Sequence, residues 1–249
     1  MRNFLDFLKT VKDFALDCLL PKNCLGCKAP GTYLCDRCLD SILLSPGINC
    51  PICNHRSPSA YTCSSCRKKS QTKLAGLLVA SDWENPLLKE VIYSFKYNFV
   101  SELAEPLSIK MARYFTTNFL SLFSIENLIF IPVPLHRKRL AWRGFNQAEL
   151  LAKKLSWFLK IPVAEKILVR HRSTTPQAEI KNKEAREKNI RQAFSLSKNL
   201  AKQEKNIFKN KIIILIDDVA TTCSTLEECA EALAPLSPKE VWGFVIARG

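Results

Sequence analysis

A chain of 249 residues with 37 Lys+Arg against 23 Asp+Glu, a formal charge of +14, has room for one domain of ordinary size and a smaller module. A hydrophobic fraction of 47% with no long polar tract excludes a largely disordered protein. No apolar run reaches about 18 residues, which excludes a transmembrane helix.

Residues 1–22 are predicted to form an amphipathic helix. Phe4 to Leu20 is apolar on one face, yet it carries Asp6, Asp13 and Asp17 and has no signal-peptide cleavage pattern. Export is therefore not expected; a cytoplasmic location is, with thiols kept reduced. The dispersed acids weaken docking on anionic lipid, so packing against the rest of the chain is the expected fate of this helix.

Nine of the eleven cysteines precede residue 67, and eight of these form four CxxC turns: Cys24/Cys27, Cys35/Cys38, Cys50/Cys53 and Cys63/Cys66. Each turn aims two thiolates at one ion, and two turns complete the tetrahedral shell that structural zinc prefers. Joining consecutive turns gives two zinc ribbons within residues 23–70, whereas crossed joining closes longer loops. A segment this small cannot fold by apolar burial, so two Zn²⁺ ions, in preference to disulfides or redox thiols, are expected to supply much of its folding free energy. His55, two residues past Cys53, is a ligand that four cysteines make unnecessary. A closed shell leaves no open coordination position, so this module is expected to brace or bind and not to catalyse. Cys18 and Cys229 read as small buried hydrophobes.

Arg67, Lys68, Lys69, Ser70 and Gln71 suit a linker into a second domain, 71–249. There the pattern predicts strands over Leu74–Trp83, Leu128–Val133, Val163–Val169, Lys211–Ile216 and Val241–Ala247. Helices are predicted over Pro86–Asn98, Glu102–Leu122, Asn146–Leu159 and Ser224–Leu233. Strands alternating with helices indicate an α/β fold, a parallel sheet with helices on both faces.

Between Leu135 and Arg191 stand 15 Lys+Arg against 5 Glu. A solvated surface explains any one of these charges but not their clustering, since like charges repel unless an anion lies among them. Arg137, Lys138, Arg139 and Arg143 directly follow a strand. Arg170, Arg172, Thr175, Gln177, Arg186 and Asn189 lie in a stretch too polar to pack, suited to a loop over an anionic ligand. Trp142 and Phe145, set among these cations, suit either base stacking or core packing.

The segment from Ile212 to Thr225 combines five apolar residues, the acids Asp217 and Asp218, and the hydroxyl-rich turn Thr221-Thr222-Cys223-Ser224-Thr225. Acids at the carboxyl end of a buried strand stand where open α/β sheets bind their ligands. The turn opens a helix, with Glu227 and Glu228 placed for capping boxes to Ser224 and Thr225. Hydroxyls, backbone N–H groups and a helix N-terminus together suit one phosphate.

This segment resembles the phosphoribosyl pyrophosphate (PRPP) motif of type I phosphoribosyltransferases, with Cys223 where that pattern has glycine. The paired CxxC turns, Phe95-Lys96-Tyr97, Pro132-Val133-Pro134-Leu135, Arg143-Gly144-Phe145-Asn146-Gln147, Pro176-Gln177 and residues 217–225 extend the resemblance, over nearly the whole chain, to the ComF family of competence proteins. It implies a double zinc ribbon ahead of a type I phosphoribosyltransferase-like domain. By the same resemblance, Asp217 and Asp218 would hold the ribose hydroxyls as the catalytic pair, and Thr221 to Thr225 would grip the 5′-phosphate. Val133, Pro134, Lys96, Arg137, Arg139 and Arg143 would flank the pyrophosphate, with residues 170–189 as a hood. The function it implies is handling of single-stranded DNA during natural transformation, alongside a competence helicase and DNA-processing proteins. Active transfer from Mg²⁺-PRPP with pyrophosphate release, and PRPP sensing without chemistry, are the alternatives.

Overall fold

The computed structural model describes residues 22–45, 49–57, 60–70, 72–172, 192–201 and 205–249. The predicted N-terminal helix with Cys18, and Thr175, Pro176, Gln177, Arg186 and Asn189 of the polar stretch, lie outside those residues.

Four parallel strands make the main sheet: β1 (Leu74–Asp82), β2 (Leu128–Pro132), β5 (Ile212–Ala220) and β6 (Glu240–Arg248), in the spatial order β1-β6-β5-β2. The apolar run of β5 serves both faces at once. Ile212, Ile214 and Ile216 enter one buried cluster with Phe130 and Phe244, while Ile213 and Leu215 enter another with Ile131 and Val245. On the first face pack α3 (Pro86–Tyr97), α4 (Ala104–Asn118) and α6 (Gln147–Leu159), through Val91, Phe95, Met111, Phe115, Leu151 and Leu155. The opposite face is covered by α7 (Ser224–Leu233) and by an antiparallel pair, β3 (Leu168–Arg170) with β4 (Phe194–Leu196). The parallel sheet with helices on both faces is therefore as expected.

Both edges of this sheet are covered by short pieces of backbone, which removes the unpaired N–H and C=O rows that invite aggregation. Along β1, Leu44 and Tyr61 form antiparallel bridges to Ser81 and Gly76, and the Thr62 N–H donates to Ala75 O at 2.7 Å. A Cβ at Gly76 would collide with the Trp242 ring and the Ala60 carbonyl oxygen, so only glycine lets the ribbon backbone come this close. Along β2, the Phe130 N–H donates to Pro162 O at 2.9 Å and the Phe130 carbonyl accepts the Ala164 N–H at 2.8 Å.

The cysteine-rich segment carries two short helices, α1 (Asp36–Ser41) and α2 (Ser64–Ser70), and shares the core of the first sheet face through Leu34, Leu39 and Ile42. Lys110 of α4, only 4% exposed, donates its ammonium to Leu39 O at 3.0 Å. Arg113, one turn on, pairs with Asp40.

Two predicted elements need correction, and one observed element is not predicted. The strand expected over Val163–Val169 is an isolated parallel bridge at Val163 and the separate β3, because Glu165 and Lys166 form a turn between them. The helix expected over Glu102–Leu122 is α4 flanked by 3₁₀ turns at Ser101–Leu103 and Leu120–Leu122. An unexpected helix, α5 (Arg137–Arg143), occupies the basic segment.

Candidate functional site

The four CxxC turns assemble in consecutive order. Cys24, Cys27, Cys35 and Cys38 bring their sulfurs within 4.8 Å of one another, as do Cys50, Cys53, Cys63 and Cys66. Each cluster could hold a metal ion, and His55 belongs to neither. At Cys24, burial works against the thiolate, but N–H groups of Cys35, Cys27 and Gly26 outweigh it and bring the pKa down to about 6. Cys50 is brought to about 6 in the same way, by the N–H groups of Cys53, Cys63 and Ile52 acting against burial. Cys38 and Cys66 are instead pushed up to about 12, by burial and then by the neighbouring sulfurs, so each cluster favours thiolate at its first cysteine while its last would need a bound cation to lose its proton.

A cleft of about 400 Å³ opens at the carboxyl ends of β2 and β5. Asp217 and Asp218 form its floor. The strand runs on to Ala220, so the acids lie within β5 and not at its end as expected. Asp218 is 6% exposed and accepts a salt bridge from Lys96 Nζ of α3 at 2.8 Å, while its Oδ1 also accepts the Val219 N–H. Asp217 is half-buried, and its pKa is pushed up to about 7 by burial and then by the neighbouring Asp218 charge. Lys96, the Asp218 N–H and Arg170 pull the other way and do not prevail.

The hydroxyl-rich turn divides its residues. Thr221 and Thr225 line the cleft. Thr222 Oγ1 and Ser224 Oγ instead pair with each other at 2.6 Å. Cys223 caps α7 with φ +62°, the left-handed conformation for which glycine is favoured, and its side chain is buried in the second core cluster. The requirement for glycine is thus conformational, since the thiol turns into the core and not toward the cleft. The expected capping boxes do not form, because both glutamates bind neighbouring segments. Glu227 accepts from Thr72 Oγ1 and the Lys73 N–H, and Glu228 accepts from the Gln192 N–H at 2.6 Å.

Val133 and Pro134 form the wall facing the acids, and Arg139 and Arg143 join them. Arg137 is not part of the lining. On α5, positions 139 and 143 lie one turn apart on one face, while 137 points elsewhere. Arg170, 8% exposed at the end of β3, completes the wall and stacks over the Phe194 ring at 5.3 Å. Burial and the Arg139 charge bring its pKa down to about 10, with Asp217 opposing. Five cations, Lys89, Lys96, Arg139, Arg143 and Arg170, thus face two carboxylates, a balance suited to an anion that also carries hydroxyls.

Residues 143–147 fasten this wall. Gly144, at φ +77°, ends α5. Asn146 Oδ1 accepts the Ala148 N–H at the start of α6, while its Nδ2 donates to Val133 O at 3.0 Å, fixing the loop above the acids. Gln147 Nε2 donates to Phe95 O at 3.3 Å, and its Oε1 accepts from Arg143 Nη1 at 2.9 Å. At the other end of α5, His136 Nδ1 accepts the Lys138 N–H at 3.3 Å. That cap needs a neutral ring, which burial and then Arg137 and Arg170 favour by lowering the imidazole pKa.

Sequence reasoning misses Tyr93 altogether and has Tyr97 only within the Phe95-Lys96-Tyr97 motif, without a place in the site; both form the α3 side of the cleft. The signal was present: with Lys96 they sit at the end of an amphipathic helix whose other face is Leu88, Val91, Ile92 and Phe95.

An acid pair near the carboxyl end of a parallel strand and a hydroxyl turn just beyond it, on a sheet preceded by two four-cysteine clusters, define a phosphoribosyltransferase-like protein with an N-terminal double ribbon. Residues 140–248 match the phosphoribosyl transferase domain family. Competence protein F of Haemophilus influenzae is 30% identical over 236 residues, covering 86% of this chain and 97% of that protein. Competence protein ComFC of Bacillus subtilis is 25% identical over 208 residues, 82% of this chain and 79% of its own. DNA utilization protein YhgH of Escherichia coli K12 is 27% identical over 186 residues, 74% and 77% of the two chains. The chain belongs to the ComF family.

Proposed function

We propose that this protein handles single-stranded DNA entering the cytoplasm during natural transformation and carries a PRPP- or nucleotide-type phosphate site in the cleft. The observation that carries this reading is the meeting of Asp217, Asp218, Thr221 and Thr225 with Arg139, Arg143 and Arg170 in one cavity. The relatives named for competence and DNA utilization supply the biological setting. In this reading the acids accept hydrogen bonds from ribose hydroxyls, Thr221, Thr225 and the first turn of α7 hold the 5′-phosphate, and the arginines face the pyrophosphate. Mg²⁺ would enter with PRPP, bridging substrate oxygens. Each four-cysteine cluster holds one structural zinc, so metal analysis of the purified protein should find two per chain; a value near zero in well-folded protein would refute this.

The test is fluorescence anisotropy of a labelled single-stranded oligonucleotide across a salt series, with and without Mg²⁺-PRPP. Tight binding that weakens as salt rises is expected, and a shift on adding PRPP reports coupling of the two sites. Failure to bind even at low salt overturns the DNA reading.

The cationic wall opposite the acid pair favours a second reading, an active transferase. Pyrophosphate would then be released from PRPP in the presence of an acceptor, and Asp217→Asn would abolish the release.

A further inference from the structure

Beside the cleft, the ends of α3 and α5 present aromatic rings to solvent. Tyr93 is 56% exposed, Tyr97 37%, Phe99 40% and Trp142 59%, and these are four of the five exposed aromatic side chains among the described residues. They form one continuous strip. Tyr93 and Tyr97 have ring centroids 5.0 Å apart, Phe99 and Trp142 meet edge to face at 5.0 Å, and Arg143 joins the two pairs. Its guanidinium lies 5.5 Å from the Tyr97 ring and 5.9 Å from the Trp142 ring. The Nε of Arg143 is inaccessible to solvent and has no hydrogen-bond partner, so packing between the rings, together with the single bond to Gln147, holds the guanidinium in place.

By contrast, Phe145 packs half-buried against Phe95 at 5.8 Å, so of the two aromatics in the basic segment only Trp142 faces solvent. Alongside the strip, α5 has the sequence RKRLAWR, with four cations and no acid in two turns. Tyr93, Tyr97, Arg139 and Arg143 also line the cleft, so the strip begins at its mouth.

We infer that this strip is the platform on which unpaired bases of single-stranded nucleic acid stack, with the cations of α5 tracking the phosphates. Flat exposed rings in a row beside a cationic helix match the two features of such a strand, a π-face on every base and a charge on every phosphate. A duplex turns its base faces inward and offers only the second. The inference rests on the reading that the protein binds single-stranded DNA, and it places that binding on a surface distinct from the acid pair and the hydroxyl turn.

The test uses the full chain, loaded with zinc, and a labelled mixed-sequence oligonucleotide. Trp142→Ala should weaken single-strand binding by about 5- to 150-fold, the range found when a base-stacking aromatic is removed, and leave the salt dependence unchanged. Trp142→Phe should restore most of the affinity. The double variant Arg137→Gln/Lys138→Gln should instead flatten the salt dependence, by about 0.7 in logarithmic slope for each phosphate that is no longer neutralised. DNA should quench tryptophan emission in the wild type and much less in Trp142→Phe, a readout that a merely structural role would not move. Because Trp142 is mostly exposed, thermal unfolding should be as in the wild type.

If Trp142→Ala and Phe99→Ala bind the single strand as the wild type does, or if a duplex of the same sequence binds equally well, the platform is refuted while DNA binding stands. If the wild type binds no single strand at low salt, the underlying reading fails as well.

Discussion

Burial and the neighbouring Asp218 charge push the Asp217 carboxyl up from its ordinary 3.8 to about 7. Folding therefore takes up a proton between those values, and the stabilising contribution is complete below pH 3.8 and is lost as pH rises through 7. Asp217→Asn removes this slope: above pH 7 the variant should be more stable than the wild type in urea denaturation, and the gap should close toward pH 4. It should also bind PRPP worse, the expected signature of a group kept for its chemistry at a cost in stability. An unchanged stability difference across that range would show that Asp217 is not a buried-acid liability.

Cys223→Gly makes a complementary case. Relief of left-handed backbone strain, about 1–2 kcal/mol, opposes the loss of a buried thiol of similar worth, so stability should change by less than about 1 kcal/mol. Phosphate binding should survive, because the thiol faces the core. A large loss of PRPP binding would mean that the side chain touches the ligand.

The acids and the turn are legible in the sequence because strand, acids, hydroxyls and helix start form one contiguous run, although the salt-bridge partner of Asp218, Lys96, is distant. Arg137 falls in with Arg139 and Arg143 as long as its segment is read only as a run of cations after a strand, yet it does not line the cleft. Once α5 is known to be a helix, the four-residue spacing of 139 and 143 separates them from 137 without further information.

Among the elements, α5 and the turn into α6 decide the shape of the cleft. Asn146 performs two tasks, capping α6 and tethering Val133 O. Asn146→Ala should therefore cost about 1–3 kcal/mol, combining a lost cap with a buried carbonyl left without its donor. It should also weaken PRPP binding by releasing the wall above the acids. Asn146→Asp, which keeps the cap but cannot donate to Val133 O, separates the two effects: stability is partly recovered and binding is not.

None of this long-range fastening can be read from spacing. RGFNQ is visible as a motif, but the partners of its polar atoms, Val133 and Phe95, are 13 and 52 residues away from them. The antiparallel pairing of β3 with β4 is hidden for a related reason. Each is three residues long, too short for periodicity to register, and a long polar stretch separates them.

For the molecule as a whole, the cysteine-rich segment closes one edge of the sheet, so loss of any metal its clusters hold should have consequences beyond its own folding. Removal of zinc by a strong chelator should lower the unfolding temperature and, by uncovering β1, promote aggregation that light scattering detects. If chelation leaves scattering and melting unchanged, the ribbons are accessories to the sheet and not its cover. The four-sulfur pattern is the plainest feature of the sequence, yet nothing in it says that Thr62 and Leu44 pair along β1. That pairing depends on Gly76, one glycine among seven, whose role emerges only beside Trp242 and Ala60.

Arg248 ties the second ribbon to the site. Its two guanidinium nitrogens donate to Cys50 O and Pro51 O at 3.0 and 2.8 Å, and in the ladder it stands opposite Ala220, the residue before Thr221. Peroxide that oxidises the thiolates of Cys50 and its partners would expel their ion and let the 50–53 turn relax, freeing Arg248 and slackening the strand end that carries the hydroxyl turn. A disturbance at the Cys50 turn would in that way reach the cleft although no cysteine lines it.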